Sequence, residues 1–285
     1  MQKILIIFIA SGILLSCGSS SSSEADQDQQ IIADIDHLVE DLPDPSAIPF
    51  TLKAIGADFV PAMVNSLDNI EKYQGDRDKL AMNMGVYASD VSYLACYNIN
   101  DRTMEYARAC HDIAVTLGDD AIFDEDLMNR IEASLDQEEA LAEILRNMIV
   151  ETSVQLEQDN ELSMAALALT GAFIEELYQA VSIIESYHDA GLTADEEKAK
   201  IEPLIKLVLD QEKALADLVI LLNEIPRDDT IRGLITQLDI LDKMYKGELE
   251  ALSAKMDEDP NYIVTKEEMF GVTLDIERIR QSIVE

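Results

Sequence analysis

The sequence predicts an all-α protein, an antiparallel multi-helix bundle. Three observations carry this expectation. Apolar residues recur at helical spacing from residue 31 to the C-terminus, with no run of alternation that would mark a strand. Recognisable stops at Gly118, Gly191, Pro226 and Pro260 leave short connections, which makes consecutive helices antiparallel. The stretch MAALALTGAFI, residues 164–174, is apolar all round and rich in Ala and Gly, as suits a helix at the centre of a bundle.

Residues 1–16 carry one cation, Lys3, an apolar core from Ile4 to Leu15, and the small residue Ser16 before Cys17. These are the parts of a cleaved signal. Twelve residues of helix cover only about 18 Å against roughly 30 Å of bilayer hydrocarbon, too little for a membrane span. Leu14-Leu15-Ser16-Cys17 resembles a bacterial lipobox, with Leu15 where a small residue is usual. The resemblance implies a lipoprotein acylated at Cys17, by palmitate-type chains on sulfur and then on the new amine. Two or more chains hold a protein stably, at about 0.8 kcal/mol per buried methylene. The alternative is an ordinary secretory signal with a chance cysteine. Residues 17–30, Ser-rich and then acidic, read as a solvated tether. The helical domain is expected over 31–285.

Within it, 31–42 is a short amphipathic helix. The segment from Pro43 holds four of the seven prolines by residue 61, so it breaks into turns and short helical pieces. Ile48, Phe50, Leu52, Ile55 and Phe59 should keep it against the body. A helix over 65–73 stops at Gly75. Longer helices follow at 77–97, 101–117, 125–157, 161–189, 194–223, 228–255 and 265–284. DQEEALAEIL (136–145) echoes DQEKALADLV (210–219), each downstream of a helix with a Gly-aromatic-acid pattern (GVYASDVSYL at 85–94, GAFIEELY at 171–178). A duplication into two helical halves and independent Glu/Ala/Leu-rich helices both account for this echo.

Cleavage after Ser16 removes Lys3 and no acid, leaving 20 basic against 57 acidic residues, a net charge of −37. Such a charge repels nucleic acid and anionic lipid headgroups, so no nucleic-acid partner is expected. Cys96 and Cys110 sit too far apart along adjacent helices to bridge, and two free buried thiols are expected. The three histidines form no metal set. Glu185-x-x-His188 lacks the second such pair and the further glutamates of a bundle di-iron site, and reads as a solvated helix cap. Asp34-x-x-His37 and His37-x-x-Glu40 are weaker patterns near the tether. The pairs His111-Asp112 and His188-Asp189 lack the basic neighbours of a phosphate pocket, Arg108 apart. GDDAIFDED, 118–126, lacks the glycine and ligand spacing of an EF-hand and reads as a loop with capping acids. No cofactor or metal is expected. No Trp is present, which disfavours a sugar-stacking platform.

The remaining candidates are polar residues on apolar helices: Tyr87, Asp90, Tyr93 and Tyr97, with Tyr106 nearby, and Glu175 and Glu176 on the second Gly-containing helix. Two readings compete. The rings pack the bundle while their hydroxyls satisfy Asp90 or backbone groups. Alternatively, they line a ligand pocket opposite Glu175 and Glu176.

PSAIPFTLKAIGADF, MGVYASDVSYLACYN, ALALTGAFIEELY and IERIRQSIVE resemble a family of uncharacterised helical lipoproteins from Bacteroidota, typified by Gly-Val-Tyr-x-x-Asp. The likeness covers most of 40–285, and Gly171-Ala172-Phe173 stands where that family has Trp. It implies fold, compartment and kinship, and no activity. GSSSSSEAD is similar to the surface-display signal of that phylum, so the outer membrane is expected, on its periplasmic face or at the cell surface. The function expected is a lipid-anchored scaffold that binds an envelope protein partner. A helical enzyme or small-ligand binder with its pocket at Tyr87, Asp90 and Tyr93 is the alternative.

Overall fold

The structure is a computed structural model that describes residues 47–118, 123–137, 162–226 and 228–285, with some positions between 140 and 147. The signal, Cys17, the tether, the helix expected at 31–42 and much of the expected 125–157 helix lie outside the described residues. The protein is all-α: helices pack in contact as a bundle, and no strand occurs among the described residues.

The Pro-rich segment does fold onto the body. It forms α1 (Ala47–Ala54) and two 3₁₀ turns, Pro61–Met63 and Leu67–Asn69, leading into the one-turn α2 (Ile70–Tyr73). Asn65 is not helical as expected. It is buried in the extended chain between the two 3₁₀ turns, and Ser66 caps the second. Residues 57–66 act as a strap across the bundle.

Helix α3 (Arg77–Cys96) starts at Asp76, whose carboxylate accepts from the Lys79 N–H at 3.0 Å. Helix α4 (Asn100–Leu117) returns antiparallel and ends at Gly118, whose φ of 101° is the left-handed stop that glycine permits. Helix α5 (Glu125–Ser134) is capped by Asp124 and gives way to a turn at Leu135–Asp136, where one continuous helix was expected. Then comes the long α6 (Leu162–His188).

Helices α3 and α6 form the centre and make the largest helix–helix contact among the described elements. Met82 lies against Gly171 and Asp90 reaches Glu175, so the two run in the same direction. Their crossing is reciprocal. A Cβ on Gly85 would stand 1.9 Å from the Ala168 carbonyl oxygen, and one on Gly171 would stand 1.9 Å from that of Met82. Only glycine lets the backbones come this close. The two helices carrying the Gly-aromatic-acid pattern are therefore partners in space.

By length and composition Ser163–His188 could cross a bilayer, because its apolar character continues past Glu175 and Glu176; 89% of its most apolar window is buried among the other helices.

The rest wraps this pair. Helix α7 (Ala194–Leu209) begins with a Thr193/Glu196 capping box and accommodates Pro203. The helix expected to run on to 223 breaks at Asp210–Gln211, and α8 (Glu212–Glu224) follows. At the break the Val208 carbonyl accepts both the Gln211 N–H at 3.1 Å and the Tyr245 hydroxyl at 2.8 Å. Tyr245 opens a π-helical turn, Tyr245–Leu249, between α9 (Asp229–Met244) and α10 (Glu250–Glu258). Helix α11 (Lys266–Val284) has its own Thr265/Glu268 capping box and packs on α6 and α9. Cys96 and Cys110 are buried thiols not joined in a disulfide.

Candidate functional site

The tyrosines of α3 and α4 meet as an aromatic cluster beneath the strap. Tyr93 and Tyr97 lie with ring centroids 5.1 Å apart, Phe59 of the strap covers both, and Tyr87 meets Tyr106 edge-on at 5.8 Å. Their hydroxyls do not satisfy Asp90; they hold the strap's backbone. Tyr87 donates to the Ser66 carbonyl at 2.8 Å, Tyr106 to that of Asn65 at 2.8 Å, and Tyr97 to that of Ala57 at 3.1 Å. Tyr93 accepts from the Val60 N–H at 3.0 Å. A strap that runs extended over the bundle leaves its peptide groups without a ladder, and these side chains supply the partners. Burial pushes the hydroxyls of Tyr87, Tyr93, Tyr97 and Tyr106 up, so they stay protonated.

Asp90 works on the same strap. Its Oδ2 accepts from the Asn65 N–H at 2.9 Å, and Oδ1 meets no N–H or hydroxyl donor among the described residues. Across the helix pair it is within hydrogen-bonding reach of Glu175. Both carboxyls are fully buried. Glu175 is gripped by Arg280 of α11 through Nε at 2.7 Å and a terminal nitrogen at 2.9 Å, with the guanidinium lying 4.0 Å over the Tyr178 ring. One cation faces two acids. Burial, then the Glu175 charge, pushes Asp90 well above the usual carboxylate range; burial raises Glu175 too, and Arg280 opposes it. Of the two, Asp90 is the carboxyl pushed further towards its neutral form, because Arg280 sits on Glu175 and not on Asp90.

A second set of amides joins strap, α3 and C-terminus. Asn65 donates to the Tyr73 hydroxyl at 3.1 Å and to Asn83 at 3.2 Å; Tyr73 and Asn83 in turn donate to the Val284 and Ile283 carbonyls. Glu176 is buried beside Glu175 on α6. Gln179, one turn on, is fully buried with no hydrogen-bond partner for either amide atom among the described residues.

The structure thus brings Asp90 and Glu175 together and sets Tyr87, Tyr93 and Tyr97 around the strap. Asn65, Asn83, Tyr73 and Arg280 were missed. For Arg280 a signal existed: it falls on the stripe of Ile276, Ile279 and Ile283, where a cation needs a buried partner.

His188 is not a solvated cap. Its side chain is 5% exposed, and Nδ1 lies 2.7 Å from Glu197 of α7. Glu185 and Asp189 are engaged by Lys266, at 3.3 Å and 2.8 Å. His111 donates from Nδ1 to the Phe123 carbonyl at 3.0 Å. No grouping of three or more metal-ligating side chains occurs among the described residues.

Surface clefts lie elsewhere, on either side of Arg108. One of about 410 Å³ is lined by Leu67, Ile70, Glu105 and Asp112 among others, and another of about 540 Å³ by His111, Val115, Glu125 and Met128. Neither is lined by the Tyr–Asp cluster.

No protein-family model, curated protein or solved structure matches the chain.

Proposed function

We propose that this is a lipid-anchored protein of the bacterial outer membrane, related to helical lipoproteins of Bacteroidota, whose bundle serves as a binding or scaffold domain for an envelope protein. One observation carries the scaffold reading. The polar residues best suited to line a pocket are committed to internal structure: four tyrosines and Asp90 hold the strap, and Glu175 holds Arg280. Contacts with a partner then fall to the outer surface. With 57 acidic against 21 basic residues, that surface favours a basic or neutral partner face. The anchor rests on the lipobox-like Leu14-Leu15-Ser16-Cys17. Cys17→Ser should abolish membrane retention and leave unprocessed precursor. A Cys17→Ser protein that still fractionates with membranes and resists alkaline extraction sinks the lipoprotein reading. Crosslinking the native protein in its own membrane, then repeating the capture with purified partner, tests the scaffold.

A second reading has its own support. Two buried carboxyls side by side, both raised by burial and only one of them paired with a cation, are an arrangement that acid–base sites use. Under that reading Asp90→Asn retains the fold and loses a ligand-induced melting shift or turnover. Under the scaffold reading partner capture survives Asp90→Asn whenever the protein is folded.

A further inference from the structure

We propose that the contact between Asp90 and Glu175 is a proton-held latch on the strap 57–66, closed while Oδ1 of Asp90 carries its proton and loosened when that proton is lost. The geometry leaves no other donor for this contact. Glu175 has both oxygens on Arg280, Asp90 Oδ2 takes the Asn65 N–H, and Asp90 Oδ1 is buried without an N–H or hydroxyl partner among the described residues. Two ionised carboxylates held in contact repel, and one cation cannot neutralise both.

The surrounding charges are few. Arg280 comes from α11 and Arg102 from α4, while Glu175 is the acid that faces Asp90 from α6. Tyr87 and Tyr93 of α3 and Tyr106 and Cys110 of α4 also sense Asp90, and burial keeps all four neutral. Arg102 donates to the Tyr106 hydroxyl at 3.1 Å and lies over its ring, so it does not take over the pairing.

When the strap opens, Asp90 meets water, and Oδ1 releases its proton to the solvent. The open state then has an ordinary carboxyl and the closed state a raised one. The sign follows: the latch is at full strength below the ordinary carboxylate range and weakens as pH rises towards the closed-state value. Over that window opening becomes about tenfold easier per pH unit. The device links proton concentration to the segment that joins α1 to the rest of the bundle.

Hydrogen exchange of the Asn65 and Val60 amides between roughly pH 5 and 8, corrected for intrinsic base catalysis, reads the opening directly. In the wild type, protection should fall as pH rises, with a limiting slope of about tenfold per pH unit. In Asp90→Asn the amide can accept from Asn65 and donate to Glu175 without titrating, so protection should be independent of pH. Global melting cannot substitute, because Asp78, raised to about 6 by partial burial and its hydrogen bond with Asp228, titrates in the same window. An infrared band of a protonated buried carboxyl, present in the wild type at neutral pH and missing from Asp90→Asn, supplies the second readout. Equal pH dependence of exchange in the two proteins, or absence of that band from the wild type, overturns the latch.

Discussion

The central pair α3/α6 and the outer helices α7 to α10 are built by different rules. Outside, the instructions are local: a capping box on α7, a capping aspartate on α9, and Lys–Glu or Lys–Asp pairs four apart, such as Lys206–Glu202 and Lys246–Asp242. One face is buried and the rest is solvated. In the centre every position of α3 from Leu80 to Cys96 is buried, Asp90 and Asn83 included. There a residue is chosen by what stands opposite it. Gly85 answers Ala168, Gly171 answers Met82, and Asp90 answers Glu175 and the strap. Similar chemistry should therefore have unequal consequences in the two regions.

The largest difference is expected for ion pairs. Removing Arg280 leaves Glu175 fully buried without its cation, and breaking such a pair costs about 3–5 kcal/mol. Arg280→Ala should lower the denaturant midpoint accordingly. Lys206→Ala, which breaks an exposed pair on α7, should leave the midpoint within experimental error. Comparable losses in the two variants would mean that the centre is not governed by buried partners.

Next come the crossing glycines. A methyl group at Gly85 or Gly171 meets backbone at 1.9 Å, and backbone cannot rotate aside as a side chain can. The helices must move apart, stretching the contact that also carries Asp90 and Glu175. Gly85→Ala and Gly171→Ala should each cost about 3 kcal/mol or more, at the upper end for overpacked cores. Chemical denaturation of the two variants measures this, and a loss below about 1 kcal/mol would refute the close crossing.

How much of this was legible follows the same division. The outer helices and their stops announced themselves, since caps, Pro and Gly act locally; α11 begins and ends within a residue of expectation. The breaks at Asp210 and at Tyr245–Leu249 were not legible, because one is tied to the other by Tyr245 reaching Val208 across the fold. The strap's attachment could be foreseen from its apolar residues. Its means could not: the tyrosine hydroxyls find peptide groups 21 to 41 residues away in sequence. Asp90 and Glu175 stood out as acids on apolar helices, yet the cation that settles their charge lies 105 residues beyond Glu175.

The strap gives a smaller effect. Tyr93→Phe keeps the ring against Phe59 and Tyr97 and removes the acceptor of the Val60 N–H. A part-buried N–H left unpaired should cost about 1 kcal/mol. Exchange at Val60 should quicken more than exchange within α7 or α8. A uniform change across the protein would show that the hydroxyls do not act on the strap in particular.

The smallest effect has the opposite sign and completes the comparison. Gly233 lies on α9, exposed and helical, and a Cβ built there finds nothing within 4 Å. Alanine needs no new space at that position, and it restricts the unfolded chain more than glycine does. Gly233→Ala should therefore stabilise the protein by about 0.5–1 kcal/mol. The substitution is chemically identical to Gly85→Ala; only the opposing surface differs, solvent in one case and the Ala168 carbonyl in the other. Measured together under one denaturant, the two should move the midpoint in opposite directions. If both destabilise alike, helix α9 is held by contacts the outer region is not credited with, and the division between centre and periphery fails.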